Sequence, residues 1–229
     1  VKSLHWRLHP LKDGAWKAKE DARRTSEELA TELEMNWEGS QQGRVYDEWD
    51  HIIKGSFPYV PGWKILVSWD FGHAPDPTSI IWWQQNPQTQ RWRMVDCLET
   101  SGKTIDWYVP FCTGIKLSGL PYKYSEKQLE QIDAHQGWQP AIHCGDPAGN
   151  IRNQVTGTSV IKELAKYGIH VNTKPNMNSF EARYHSAKLF MREIEGINLP
   201  ACLAASDAIS EARFPERSEE SQAVSGITK

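Results

Sequence analysis

Two aspartates each stand where an apolar run of strand length stops. Asp70 closes Ile65-Leu66-Val67-Ser68-Trp69, and Asp146 closes Ala141-Ile142-His143-Cys144-Gly145, 76 residues further on. In an open α/β sheet, ligands gather outside the carboxyl ends of the strands. Neighbouring parallel strands lie about 4.8 Å apart, so two strand-tip carboxylates can share one ion. Carboxylates that close repel each other, and a divalent cation relieves the repulsion. Hard oxygen donors suit Mg²⁺ or Mn²⁺. Two such ions about 3.5–4 Å apart can activate water and steady the leaving 3′ oxygen of a phosphodiester.

A plain structural reading stands beside this one, because aspartate at a strand end also forms turns and caps helices. Either motif alone carries little; the two in one chain, in this strand order, favour the ion site. The remaining candidates have less around them. Asp76-Pro77-Thr78 makes a turn, and His73 is a loop histidine facing substrate or solvent. Asp96, Asp106 and Asp133 have no supporting context. Lys174, Arg183, Lys188 and Arg192 cluster around one predicted helix, as a DNA-backbone contact or an ordinary solvated face. Trp82, Trp83 and Trp92 fall in a predicted hairpin, where core packing accounts for most of them. No nucleophile elbow supports a serine or cysteine hydrolase.

The elements that must position the two acids follow from pattern. Residues 63–69 read as a central strand buried on both faces. Residues 79–84 and 91–98 flank Asn86-Pro87-Gln88-Thr89 as an antiparallel hairpin. Helices are predicted over 104–112, 126–137, 158–167, 179–195 and 199–212, and strands over 141–144 and 169–172. Thr158 or Ser159 is the expected cap of the third helix. This order, a hairpin followed by parallel crossovers, fits an RNase H-like α/β fold: a mixed sheet of antiparallel and parallel strands flanked by helices. No G-x-G-x-x-G or G-x-x-x-x-G-K-[ST] is present, so the chain shows neither a dinucleotide fingerprint nor an ATP cradle.

Residues 1–60 read as an N-terminal linker arm: an extended piece closed by Pro10, a thin-striped helix over 13–33, and turns around a short strand at 44–46. Residues 61–213 read as the RNase H-like α/β body, and 214–229 as a loose polar tail. With 26 Lys+Arg against 29 Asp+Glu, bulk charge does not coat nucleic acid, so any such binding needs a local patch or bound cations. Cys97, Cys112, Cys144 and Cys202 are scattered singly, which points to reduced, buried thiols. No apolar run nears the roughly 20 residues of a membrane span, and the first ten residues carry no signal-peptide core.

The sequence resembles the C-terminal nuclease domain of the large terminase subunit, the DNA-packaging motor protein of tailed bacteriophages. HWRLHPLKDGAW and ELEMNWEGSQQGRVYDEW resemble the passage leaving the terminase ATPase domain; WDFGHAPDPTSIIWW resembles the strand and hairpin with the first catalytic aspartate; HCGDPAGN resembles the second acidic motif. FEARYHSAKLFMREIEG and INLPACLAASDAISEARFP resemble the late helices. The resemblance implies that Asp70 and Asp146 are catalytic metal ligands on a two-ion Mg²⁺ or Mn²⁺ site, with Asp70 bridging. It implies cleavage of concatemeric double-stranded DNA in the host cytoplasm. It also implies an upstream ATPase domain, a small terminase subunit and a portal as partners, and no membrane. The family's third acid has no clean match: Asp207-Ala208 fits its motif superficially, and the expected position lies beyond Lys229. The alternatives are another RNase H-like nuclease, such as a resolvase or transposase core, and a non-catalytic portal-docking module.

Overall fold

Alternation of apolar and polar residues places Ile65, Val67 and Trp69 on one side of β2 (Lys64–Asp70), and that side is buried. β3 (Thr78–Gln85) and β4 (Trp92–Thr100) run back and forth beside it. The computed structural model describes residues 12–23, 45–72, 75–116, 122–138, 141–152, 157–173 and 180–212. One compact unit spans Glu48–Ala208. A second takes in described residues 12–23, 45–47 and 209–212.

In that second unit, α1 (Gly14–Arg23) is capped by Asp13, whose Oδ1 accepts from the Trp16 amide at 2.8 Å. Lys17 and Asp21 pair one turn apart. The Val45 amide donates to the Ala212 carbonyl at 3.1 Å. The strand expected at 44–46 does not form at Val45 or Tyr46. Asp47–His51 instead makes a 3-10 turn with Trp49 fully buried. The rest of the expected helix, beyond Arg23, lies outside the described residues.

The large unit is built on a seven-stranded sheet in the order β1-β7-β4-β3-β2-β5-β6. The edge strand β1 is Ile53–Gly55, β5 is Ala141–Gly145, β6 is Val171–Asn172 and β7 is Ile194–Asn198. β2, β3 and β4 run antiparallel to their neighbours in turn; β5 joins β2, β6 joins β5, and β7 joins β4 and β1, all in parallel. This mixed sheet flanked by helices is the RNase H-like arrangement expected from the sequence.

Ile65, Val67, Trp69, Ile80 and Trp82 pack on that buried side against α2 (Ile105–Thr113), α3 (Glu126–Ala134) and α4 (Val160–Ala165). Ser125 and Gln128 form a capping box at α3, and Ser159 caps α4 through the Lys162 amide. The other face carries Trp83 and Met94. There Phe190 of α5 (Phe180–Arg192) meets Trp83 edge-on at 5.0 Å and Trp92 at 6.0 Å. α6 (Leu199–Glu211) follows β7 and reaches Cys97 of β4 through the Ala201 carbonyl. The helix expected over 179–195 therefore ends early, at Arg192. Ile194–Asn198 becomes an inner strand, and Gly196 lets the Phe57 ring in where a Cβ would sit 2.3 Å from it. The thiols of Cys112 and Cys202 are buried, whereas Cys97 and Cys144 are half-buried.

Candidate metal centre

Parallel pairing of β2 and β5 places Trp69 opposite Gly145, and the Asp146 amide donates to the Trp69 carbonyl at 3.4 Å. Asp70 and Asp146 are the next residues, so the two acids meet at adjoining strand tips. Their neighbours hold the tips together. The Phe71 ring stacks on Trp69, 5.5 Å between centroids, and lies over the turn after β5. A Cβ on Gly145 would come within 2.9 Å of that ring, and one on Gly149 within 2.6 Å. The glycines on either side of Asp146 thus make room for the aromatic that follows Asp70. Gly72 serves the next turn, where a Cβ would fall 1.9 Å from the Pro77 carbonyl oxygen.

Cross-strand register extends the acidic tip into a row. Asp70 lies opposite Ser79, and Ser79 opposite Glu99. The Ser79 hydroxyl donates to Glu99 Oε2 at 3.1 Å. Asp70 accepts no side-chain hydrogen bond from the described residues. Burial, then the negative charge of Asp146, raises its carboxyl above the ordinary range; Arg183 opposes the shift and Glu99 adds to it.

The two carboxylate oxygens of Asp146 are served differently. Its Oδ1 accepts from the Ala148 amide at 2.6 Å and caps the 3-10 turn Pro147–Asn150. Its Oδ2 faces the Arg183 guanidinium at 3.6 Å. Arg183 is seven residues, two helical turns, before Phe190, so the stripe of α5 that docks on Trp83 also delivers the guanidinium to the tip. Behind the tip, Trp69 Nε1 donates to His143 Nδ1 at 3.1 Å, and burial holds the His143 imidazole neutral down to about 4.

The donor set fits a hard divalent cation: carboxylate oxygens, those of Asp70 without a hydrogen-bonded partner among the described residues, under mutual repulsion. Among the described residues no three acidic, histidine or cysteine side chains cluster at metal-binding distance, so neither Glu99 nor Asp207 completes a trio with the pair.

The remaining candidates scatter. Lys188 is buried and approaches Glu48 at 3.6 Å, and Arg192 reaches the same carboxylate at 3.7 Å, so these two members of the basic cluster turn to an acid of the chain itself. Asp96 is buried beside His135, Asp106 accepts from the Tyr122 hydroxyl, and Asp133 pairs with Lys116. His73 and Lys174 lie outside the described residues. The Arg183 contact and the Glu99 row were not foreseen. Period-two alternation along β4 was the one available signal for Glu99.

No protein-family profile and no characterised protein sequence matches the chain. Solved structures do match in fold. The large terminase of a thermophilic bacteriophage, in complex with ATP-gamma-S, is 16% identical, with a TM-score of 0.55 over 87% of this chain and 44% of that one. A second structure of the same terminase, in the same crystal form, is 17% identical with a TM-score of 0.52 over the same shares. The large terminase nuclease from thermophilic phage G20c is 15% identical, with a TM-score of 0.50 over 79% of this chain and 86% of that one. The chain therefore spans less than half of the first of these terminases and shares the fold of the terminase nuclease domain.

Proposed function

We propose that this chain is a metal-dependent endodeoxyribonuclease domain of a viral large terminase, which cuts concatemeric double-stranded DNA during genome packaging. The observation that carries the reading is the meeting of Asp70 and Asp146 at adjoining strand tips, with no hydrogen-bond donor to the Asp70 carboxylate among the described residues. Mg²⁺ or Mn²⁺ would be held by Asp70 and Asp146. Bound there, the ions supply Lewis-acid activation of water and stabilisation of the leaving oxygen. The chain's own part is positioning. The Ala148 amide fixes one Asp146 oxygen and leaves the other turned to the site. The Phe71 ring, stacked on Trp69, packs against the glycines on either side of Asp146. Phosphate contacts would be largely independent of base sequence.

The likeness to the G20c nuclease supports the activity. The likeness to a larger terminase bound to ATP-gamma-S supports an ATPase domain as a neighbour; residues 1–60 would be the arm that joins it, 61–213 the nuclease body and 214–229 a tail. By the same reasoning the small terminase subunit and the portal are partners, and the host cytoplasm is the place of action. Among the described residues, no helix is long and apolar enough to cross a membrane.

The test is plasmid nicking in Mg²⁺ and in Mn²⁺ by the parent chain beside Asp70→Ala and Asp146→Ala. Each substitution is expected to lower nicking by about 100-fold or more, the usual scale for losing an essential charge-stabilising group. Equal cutting by all three would overturn the assignment. No cutting in either metal by a full-length version, third acid included, would favour the docking-module reading, in which the acids only cap turns.

A further inference from the structure

The acidic tip already holds a cation, and it comes from the chain itself. Arg183 Nη1 sits 3.6 Å from Asp146 Oδ2, the carboxylate oxygen that the Ala148 amide leaves open. The guanidinium also offsets part of the charge pressing on Asp70, so one arginine serves both acids. Its contact is long for a charge-assisted hydrogen bond, and its side chain is 57% exposed. A pair of that kind is weak and readily exchanged. The helix beneath it is anchored independently, two turns away, by Phe190 against Trp83 and Trp92. Moving the guanidinium therefore needs only side-chain rotation.

We infer that Arg183 is a built-in counter-ion of the acidic pair, competing with divalent cations for Asp146 and yielding its place when one binds. This rests on the reading of Asp70 and Asp146 as metal ligands. A guanidinium cannot be deprotonated at physiological pH, so the competition is set by charge and position alone. The tip then needs no bound metal to remain folded, and the arginine's removal makes ion binding easier rather than harder. A merely structural arginine would have the opposite effect or none.

The test is Mn²⁺ binding by isothermal titration calorimetry to the 229-residue chain and to Arg183→Gln, Arg183→Lys and Asp146→Asn. Arg183→Gln is expected to bind Mn²⁺ about three- to fivefold more tightly, in keeping with loss of an exposed ion pair. Arg183→Lys, which keeps the charge, is expected to stay within about twofold of the parent. Unchanged or weaker binding by Arg183→Gln, with the parent binding and Asp146→Asn impaired, would overturn the counter-ion role and leave the metal ligands standing. Failure of both the parent and Arg183→Gln to bind millimolar Mn²⁺ would instead remove the metal reading, and this inference with it.

Discussion

Asp96 of β4 and Asp70 of β2 lie on opposite faces of one sheet and are served in opposite ways. Asp96 shares the buried face with Trp82, its cross-strand partner. Its Oδ1 accepts from the Cys97 amide at 2.7 Å and from Gln131 Nε2 at 3.0 Å; its Oδ2 meets His135 Nε2 at 2.7 Å. The carbonyl of Phe111 only accepts, so His135 Nδ1, 2.5 Å away, donates to it. Trp82 and Trp138 close on the His135 ring at 4.7 and 4.0 Å. Asp70 has a second carboxylate beside it and, among the described residues, no side-chain donor. A carboxylate whose partners are complete holds a fold together; one whose partners are missing is poised to take an ion.

The largest effect that sharpens this contrast is Asp96→Ala. It would strand the fully buried His135 ring and the Gln131 amide without their acceptor, at a cost of about 3–5 kcal/mol. Denaturant unfolding measures it directly. A loss below about 1 kcal/mol would mean that the network is not the structural half of the pair.

Next in size is a pH effect at His143, between the two regions. Its folded imidazole protonates only near 4, whereas the unfolded chain takes up that proton near 6.5. The contribution is therefore complete above about pH 6.5 and lost as pH falls towards 4, by about 3 kcal/mol in all. Comparing unfolding free energies at pH 7 and pH 4.5 should give a shallower pH dependence for His143→Gln than for the parent. Parallel slopes would refute the assignment.

Gly149→Ala tests the cradle that brings the acids together. The added Cβ would lie 2.6 Å from the Phe71 ring, an overpacking worth about 1–3 kcal/mol. Because Phe71 follows Asp70, the same change should weaken Mn²⁺ binding. Calorimetry showing parental affinity in this variant would mean that the ring does not set the spacing of the tips.

How much of this could be read beforehand depended on range along the chain. The meeting of Asp70 and Asp146 was legible because each closes an apolar run of strand length before a turn, and the crossover between those two runs makes them parallel. β1 and β7 were not, for different reasons. Ile53–Gly55 is too short to show alternation, and Ile194 continues the apolar spacing of α5 so that the strand looked like more helix. The charges of Lys188 and Arg192 were visible, but Glu48, to which both turn, is more than a hundred residues away. Period two marks which face a residue takes, yet nothing in the local sequence gives Asp96 its histidine.

The smallest expected effect, Asp70→Asn, decides the comparison because its sign is opposite to that of Asp96→Ala. Asp70 is raised in the folded chain, so ionising it costs the fold something that the unfolded chain does not bear. That cost is absent below the unfolded value near 3.8 and fully present once pH exceeds the raised folded value. At neutral pH without divalent ions, asparagine should therefore raise the melting temperature by about 1–3 °C. The advantage should fade on acidification as the parent carboxyl takes up its proton. Adding Mg²⁺ or Mn²⁺ should reverse the order, because only the parent then gains the stabilisation that comes with binding. Melting curves with and without Mn²⁺ at two pH values make the measurement. An asparagine variant less stable than the parent in chelator would place Asp70 with Asp96, among the residues that hold the sheet together.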